Sequence, residues 1–355
     1  VNANSASPAQ QEKEAVDPMP DRRDFLGLLA KITMGASLTA ADLAVLASPT
    51  TPTPAPSRVG ATEARQLADM AEALWGQEKS SGGGTVREAA IAQVRWARQL
   101  LGATHTDEVE QDLRITLSDL LRLCGWSSYD LRMSGSAVRY LGQSAIEAEE
   151  SGDRMRSALA LDCVARVYVR AGYLDEALNI VDVGTIPAER AQAHEVTAWL
   201  MSTKARTYAT AGNKTAAHDA LTAAADALTK VTPSRSHWSY TERTLAAETG
   251  KVLATLAVRD RAHCPAAIEA LTDYTAQTDP GKAKRHAFGM SNLAICHVLG
   301  GDVALGVRIG HQTADAADDI HSRLLRDQLT TLAAAARRHP TDGDATDLAH
   351  RLIRT

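Results

Sequence analysis

The chain is 355 residues long, 45% hydrophobic, 23% charged and only 4% aromatic, an ordinary globular composition. Its net charge of −5, with acids and bases interspersed, excludes the basic stripe by which a domain holds nucleic-acid backbone. No run of 18 apolar residues occurs, so no ordinary membrane span is expected.

The apolar fraction is mostly alanine, against only 2 Phe. Alanine is the best helix former and fills close helix–helix contacts, so an all-α fold is expected and large β-rich folds are disfavoured. Cys124, Cys163, Cys264 and Cys296 lie far apart with no C-x-x-C pair. That speaks against a zinc site or a disulfide framework and suits a reducing compartment.

Residues 1–58 read as a disordered segment apart from the body, holding seven of the 12 prolines, while residues 57–186 hold none. Residues 1–20 are too polar to build a core, and 48–57 form a Pro-rich linker of polyproline type. Between them, Arg22-Arg23-Asp24-Phe25-Leu26 opens an Ala-rich helical stretch that ends near Ala47. Paired arginines before an apolar stretch imitate a twin-arginine export signal. Lys31 and Asp42 interrupt that stretch, and a clean Ala-x-Ala cleavage site is missing. The expected location is cytoplasmic, with twin-arginine export and processing near Ala47 as the alternative.

From residue 59 the chain reads as helix after helix. Leu67, Met70, Ala71 and Leu74 form a 3.6-residue stripe in a helix over 62–79. Gly82-Gly83-Gly84 breaks it as a turn, with Thr85 expected to cap the next helix. A pattern then recurs: Tyr168, Gly172 and Ala177, repeated at the same spacing by Tyr208, Gly212 and Ala217. His297, Gly301 and Gly306 repeat it weakly, and a copy shortened around its turn surrounds Tyr129. The steps from Tyr129 to Tyr168 to Tyr208 are 39 and 40 residues, leaving room for a degenerate unit in 236–278. In such a unit small residues let two antiparallel helices approach, and the Gly ends the first helix in a left-handed conformation. Each pair leaves an apolar face that only the next pair buries. One solenoid of about 12–15 helices over residues 59–355 is therefore expected, with Ala177 and Ala217 buried.

The Tyr–Gly–Ala spacing resembles the tetratricopeptide repeat, which implies a right-handed superhelix of antiparallel helix pairs. Residues 59–340 further resemble the C-terminal sensor half of actinobacterial transcriptional regulators whose N-terminal half is a lambda-repressor-like helix-turn-helix. That resemblance rests on several stretches. They are Val59-Gly60-Ala61-Thr62-Glu63, the Gly triplet, Leu120-Leu121-Arg122-Leu123-Cys124-Gly125-Trp126, Ala137-Val138-Arg139-Tyr140, and Glu149-Glu150-Ser151-Gly152-Asp153. Such regulators often carry an Arg-Arg-x-Phe-Leu segment between their halves. No helix-turn-helix fits in residues 1–20, so direct DNA binding does not carry over to this chain. The expected role is a protein- or peptide-binding module linked to transcription; a homodimer is left open.

Catalytic patterns are missing. His194-Glu195 begins like H-E-x-x-H but lacks the second His, and the adjacent pairs His263-Cys264 and Cys296-His297 point apart on a helix. Gly212-Asn213-Lys214-Thr215 ends like a phosphate loop without the leading Gly or a strand. No enzyme activity, metal or cofactor is expected. By the tetratricopeptide resemblance, positions two and six before the repeat Tyr face the concave groove. These are Arg166 and Asp162 in one repeat and Arg206 and Ser202 in the next, with Asn292 placed to bond a peptide backbone. Aligned Arg166 and Arg206 would favour an acidic or C-terminal carboxylate ligand.

Overall fold

The computed structural model describes residues 21–34, 36–45, 53–231, 238–276 and 279–354. The expectations for residues 1–20 and for the first half of the Pro-rich stretch fall outside these. The chain forms two units, Val1–Ala55 and Pro56–Thr355.

In the first unit the Asp21 carboxylate accepts hydrogen bonds from the backbone N–H groups of Arg23 and Asp24 and so starts α1 (Arg22–Thr33). A short α2 (Ala40–Val45) follows. Lys31 and Asp42, the two charges that interrupt the apolar stretch, meet each other at 2.6 Å.

The second unit is built from α3 (Ala61–Ser81), α4 (Arg87–Leu101), α5 (Asp107–Asp130), α6 (Ser134–Glu150), α7 (Arg154–Ala171), α8 (Leu174–Arg190) and α9 (His194–Ala211). It continues through α10 (Lys214–Leu228), α11 (Glu242–Ala257), α12 (Cys264–Thr275), α13 (Ala283–Gly300), α14 (Val303–Ala317), α15 (Arg323–Ala336) and α16 (Gly343–Arg354). Among the described residues the only bridge-type pairing outside helices joins Arg58 and Thr104. No described helix is long and apolar enough to cross a membrane. Consecutive helices pack as adjacent pairs, which makes this an all-α, tetratricopeptide-like solenoid.

The small-residue and glycine logic operates as the repeats imply. Ala165, Ala177, Ala205 and Ala217 are all fully buried. Gly172, Gly212 and Gly301 end α7, α9 and α13 in the left-handed region, at φ of 86°, 83° and 103°. Two turns lack glycine and bend the same way on other residues: Arg132 at φ 65° after α5, and Gln192 at φ 50° after α8. Thr85 does not cap α4. The Gly triplet runs into a 3-10 turn over Gly83–Thr85, Val86 takes the capping position, and the Thr85 hydroxyl donates instead to the Gly82 carbonyl at 2.9 Å.

Odd-numbered helices form an inner layer and even-numbered ones an outer layer. Along the inner layer α3 packs on α5, α5 on α7, α7 on α9, α9 on α11 and α11 on α13. Then α13 packs back on α3, so six inner helices close into a ring. The seam is a buried polar knot. The Lys284 ammonium is bound by Glu78 and lies 3.5 Å from Asp130 Oδ2. Ser322 Oγ donates to Asp130 Oδ1 at 2.6 Å, and the Gly83 N–H donates to Asp130 Oδ2 at 2.8 Å. The His321 N–H donates to the Ser81 carbonyl at 2.8 Å, and the Gly84 N–H to the His321 carbonyl at 3.1 Å. The Gly triplet is required here for close approach. A Cβ on Gly82 would stand 2.7 Å from the His321 oxygen, and one on Gly83 would stand 2.8 Å from Ser127 backbone. From α11 to α16 runs an apolar cluster that includes Leu271, Leu299, Leu329, Leu332 and Leu348.

Candidate functional site

The inner side of the ring holds a pocket to which five helices contribute. Trp75, Glu78 and Lys79 come from α3, and Arg122 and Trp126 from α5. Leu159, Asp162, Cys163 and Arg166 come from α7, Trp199 from α9, Arg285 from α13, and Trp238 from the segment before α11. Four of the 5 tryptophans of the chain thus converge on one site. The cavity volume is about 90 Å³, and the whole space between the walls, open mouth included, is about 550 Å³.

The walls alternate cations with indoles. The Arg122 guanidinium lies 4.5 Å from the Trp75 ring centre and 5.6 Å from that of Trp238. Arg166 lies 4.9 Å from Trp199 and 5.9 Å from Trp126, and Arg285 lies 5.7 Å from Trp199. A cation over an indole face gains quadrupole attraction and leaves its N–H edge directed sideways. Behind the wall, Arg156 lies 4.7 Å from Trp238 and bonds Asp119 at 3.0 Å.

Arg166 is the most constrained of these cations. Its Nε donates to Asp162 Oδ2 at 2.8 Å, and Asp162 Oδ1 accepts from the Thr203 hydroxyl at 2.6 Å. Burial opposes the Arg166 charge, but the carboxylates of Asp162 and Glu248 outweigh it and hold the group above its ordinary range. Its Nη2 is buried and has no hydrogen-bond acceptor among the described residues. Lys79 and Arg285 form no salt bridge among the described residues. Burial, and after it the charges of Arg285, Lys282 and Arg122, pull the Lys79 ammonium down to about 8. Burial pushes the Cys163 thiol up to about 11, so it lines the pocket as an inert thiol.

The five groove residues read from the sequence fall into two groups. Asp162 and Arg166 stand together in the pocket. Arg206 lies one repeat along and is engaged by Glu248, whose other oxygen accepts from Lys251 at 2.9 Å. Ser202 shares a 2.7 Å hydrogen bond with the Tyr240 hydroxyl beneath the wall. The Asn292 amide donates to the Phe288 carbonyl at 2.9 Å and accepts from Gln328 at 2.8 Å, away from the pocket lining.

The indoles, Arg122, Arg285, Lys79 and Glu78 are absent from the groove residues read from the sequence, and for α5 the signal was available. Counting back from the left-handed residue at each turn, positions six and ten before it are Trp126 and Arg122, Arg166 and Asp162, and Arg206 and Ser202. The turn after α5 pivots on Arg132 rather than on a glycine. Anchoring on Tyr129 therefore shifts the register by one and points to Ser127 and Leu123.

No family model matches the chain, and no curated protein does. Among solved structures it is similar to the crystal structure of the P58(IPK) TPR domain, at 13% identity and a TM-score of 0.23. The likeness covers 93% of this chain and 88% of that one. At that score it carries no argument for fold or function.

Proposed function

We propose that the chain is a non-enzymatic binding module that receives a peptide or protein segment on the inner face of its helical ring. One observation carries this reading: four tryptophans and three arginines, from five helices and the segment before α11, converge on one open-mouthed pocket. Aromatic and Arg anchors around a partly desolvated concavity are the groups that dominate binding energy. The one thiol in the lining is held protonated by burial. A regulatory, transcription-linked role in the cytoplasm is the setting that the sequence resemblance suggests.

The test is affinity capture by the full chain, followed by hydrogen exchange on the captured complex. Protection centred on α5, α7 and α9 supports the module reading; protection confined to α14–α16 sinks it. Fractionation of a tagged protein tests the setting, and processing near Ala47 would move it outside the cytoplasm.

A further inference from the structure

The module reading leaves open what enters the pocket, and the inference below rests on that reading. Three features of the pocket bear on the answer. The cavity, about 90 Å³, is smaller than the ~150 Å³ apolar cavity that admits a benzene ring. An end group fits there, with the body of the ligand in the wider mouth; a chain threading through does not. The lining carries four cations, Lys79, Arg122, Arg166 and Arg285, against two carboxylates, Glu78 and Asp162, an excess of positive charge in a protein of net charge −5. Asp162 is already occupied by Arg166 and Thr203, and Glu78 by Lys284, so neither offers a free acceptor to the mouth.

We propose that the pocket anchors a single carboxylate carried next to a flat apolar group, with Arg166 and Arg285 as its donors and Trp126 and Trp199 as the flanking surfaces. The unfilled valence of Arg166 Nη2 supplies the first donor. Arg285 is half-buried in the same lining, 5.7 Å from the Trp199 ring centre, and supplies the second. A carboxylate matches the planar fork of a guanidinium, and an apolar neighbour replaces water on the indole faces. The Lys79 ammonium, lowered first by burial and then by the charges of Arg285, Lys282 and Arg122, agrees with this in its second part, because an anion among those cations offsets their repulsion. The same chemistry arises from two sources, the C-terminus of a peptide ending in an apolar residue and a free small acid.

The experiment uses the full chain and reads tryptophan fluorescence. The probes are 3-phenylpropionate and its amide, and an acetylated tetrapeptide ending in leucine and phenylalanine with a free or an amidated C-terminus. The expected result is quenching by both free acids, with each amide weaker by about tenfold or more, the worth of a charge-assisted hydrogen bond. Arg166→Gln is expected to remove that acid-over-amide preference, while Arg206→Gln, whose partner is Glu248, leaves it unchanged. Arg285→Gln breaks no salt bridge among the described residues, so it gives a second, fold-sparing variant in which the preference must also fall. Equal binding of acid and amide overturns the carboxylate anchor and leaves the module reading standing. Binding of phenylpropionate without either peptide keeps the anchor and overturns the peptide-binding reading. Quenching by neither acid at millimolar concentration overturns the inference.

Discussion

Two odd-numbered helices of the same array, α7 and α15, bury different things. On α15 the buried residues are Leu325, Leu329, Leu332, Ala333, Ala335 and Ala336, without one polar side chain. Helix α7 buries Ser157, Asp162 and Arg166 beside its alanines and Val167. Both follow the helix-pair rule on the face that meets their neighbours. The difference lies on the remaining face. Helix α7 belongs to the closed ring and turns that face to the pocket, whereas α15 lies beyond the ring and packs on α13, α14 and α16. Burying a charge is costly unless it is paired and hydrogen-bonded, so a helix that serves only as a structural member has no reason to carry one. Buried charge lies on α3, α5, α7, α11 and α13, all helices of the ring, where it forms the seam or faces the pocket and its neighbourhood.

The largest test of this contrast strikes the seam that closes the ring. Lys284→Met leaves Glu78 and Asp130 buried without their cation and is expected to cost about 3–5 kcal/mol by denaturant unfolding. The double variant with Glu78→Leu removes both charges and should lose less than the single one. Equal losses would mean that the seam is not an ion pair in solution.

On the apolar side, Leu332→Ala empties a fully buried site on α15 and is expected to cost about 2–5 kcal/mol. Pocket ligands should bind this variant as they bind the wild type, because α15 contributes nothing to the lining. A large affinity change would erase the division between the two regions.

Smaller effects belong to the turns. Gly172 has open space where a Cβ would go, so Gly172→Ala isolates backbone strain at φ 86° and should destabilise by about 1–2 kcal/mol. Arg132→Gly is the mirror experiment, relieving a non-glycine residue at φ 65°. Its pair with Asp327, at 3.4 Å on the surface, offsets little. A gain of up to about 1 kcal/mol in thermal unfolding is expected; a loss would show that the side chain earns its left-handed position.

The finest effect is a slope. The Lys79 ammonium titrates at about 8 in the folded chain against 10.5 ordinarily. Between those values the unfolded chain binds the extra proton, so this group makes stability rise with pH there. Below about 8 both states are charged and the destabilisation is fully present. Comparing wild type with Lys79→Met cancels the opposing thiol and tyrosine titrations. The variant should lack this rise, and identical pH profiles would place Lys79 in ordinary solvent.

Much of the fold was legible because it is local. Alanine content, the 3.6-residue stripes and a glycine four residues after Tyr168 and after Tyr208 are short-range properties. Gly172 and Gly212 end their helices where the pattern places them, and Ala177 and Ala217 are fully buried. Thr85 failed as a cap because the Gly triplet answers to His321, a contact more than 200 residues away that no local rule contains. Of the groove, the repeat frame reached Asp162 and Arg166 but could not distinguish Arg166, which lines the pocket, from Arg206, which Glu248 engages one repeat along.

Sequence by itself determined the helices, their pairing and which small residues stand between them, since each follows from neighbours within one repeat of about 40 residues. It also carried the inward register, although Arg132 concealed that register in α5. Tertiary structure decided that the inner layer closes on itself and that four tryptophans scattered from residue 75 to residue 238 share one pocket. Curvature accumulates from small rotations at every helix-pair interface, and no single repeat encodes the sum. Closure therefore appears only once α3 and α13 are in place together, and the pocket exists only on the inner side of that ring.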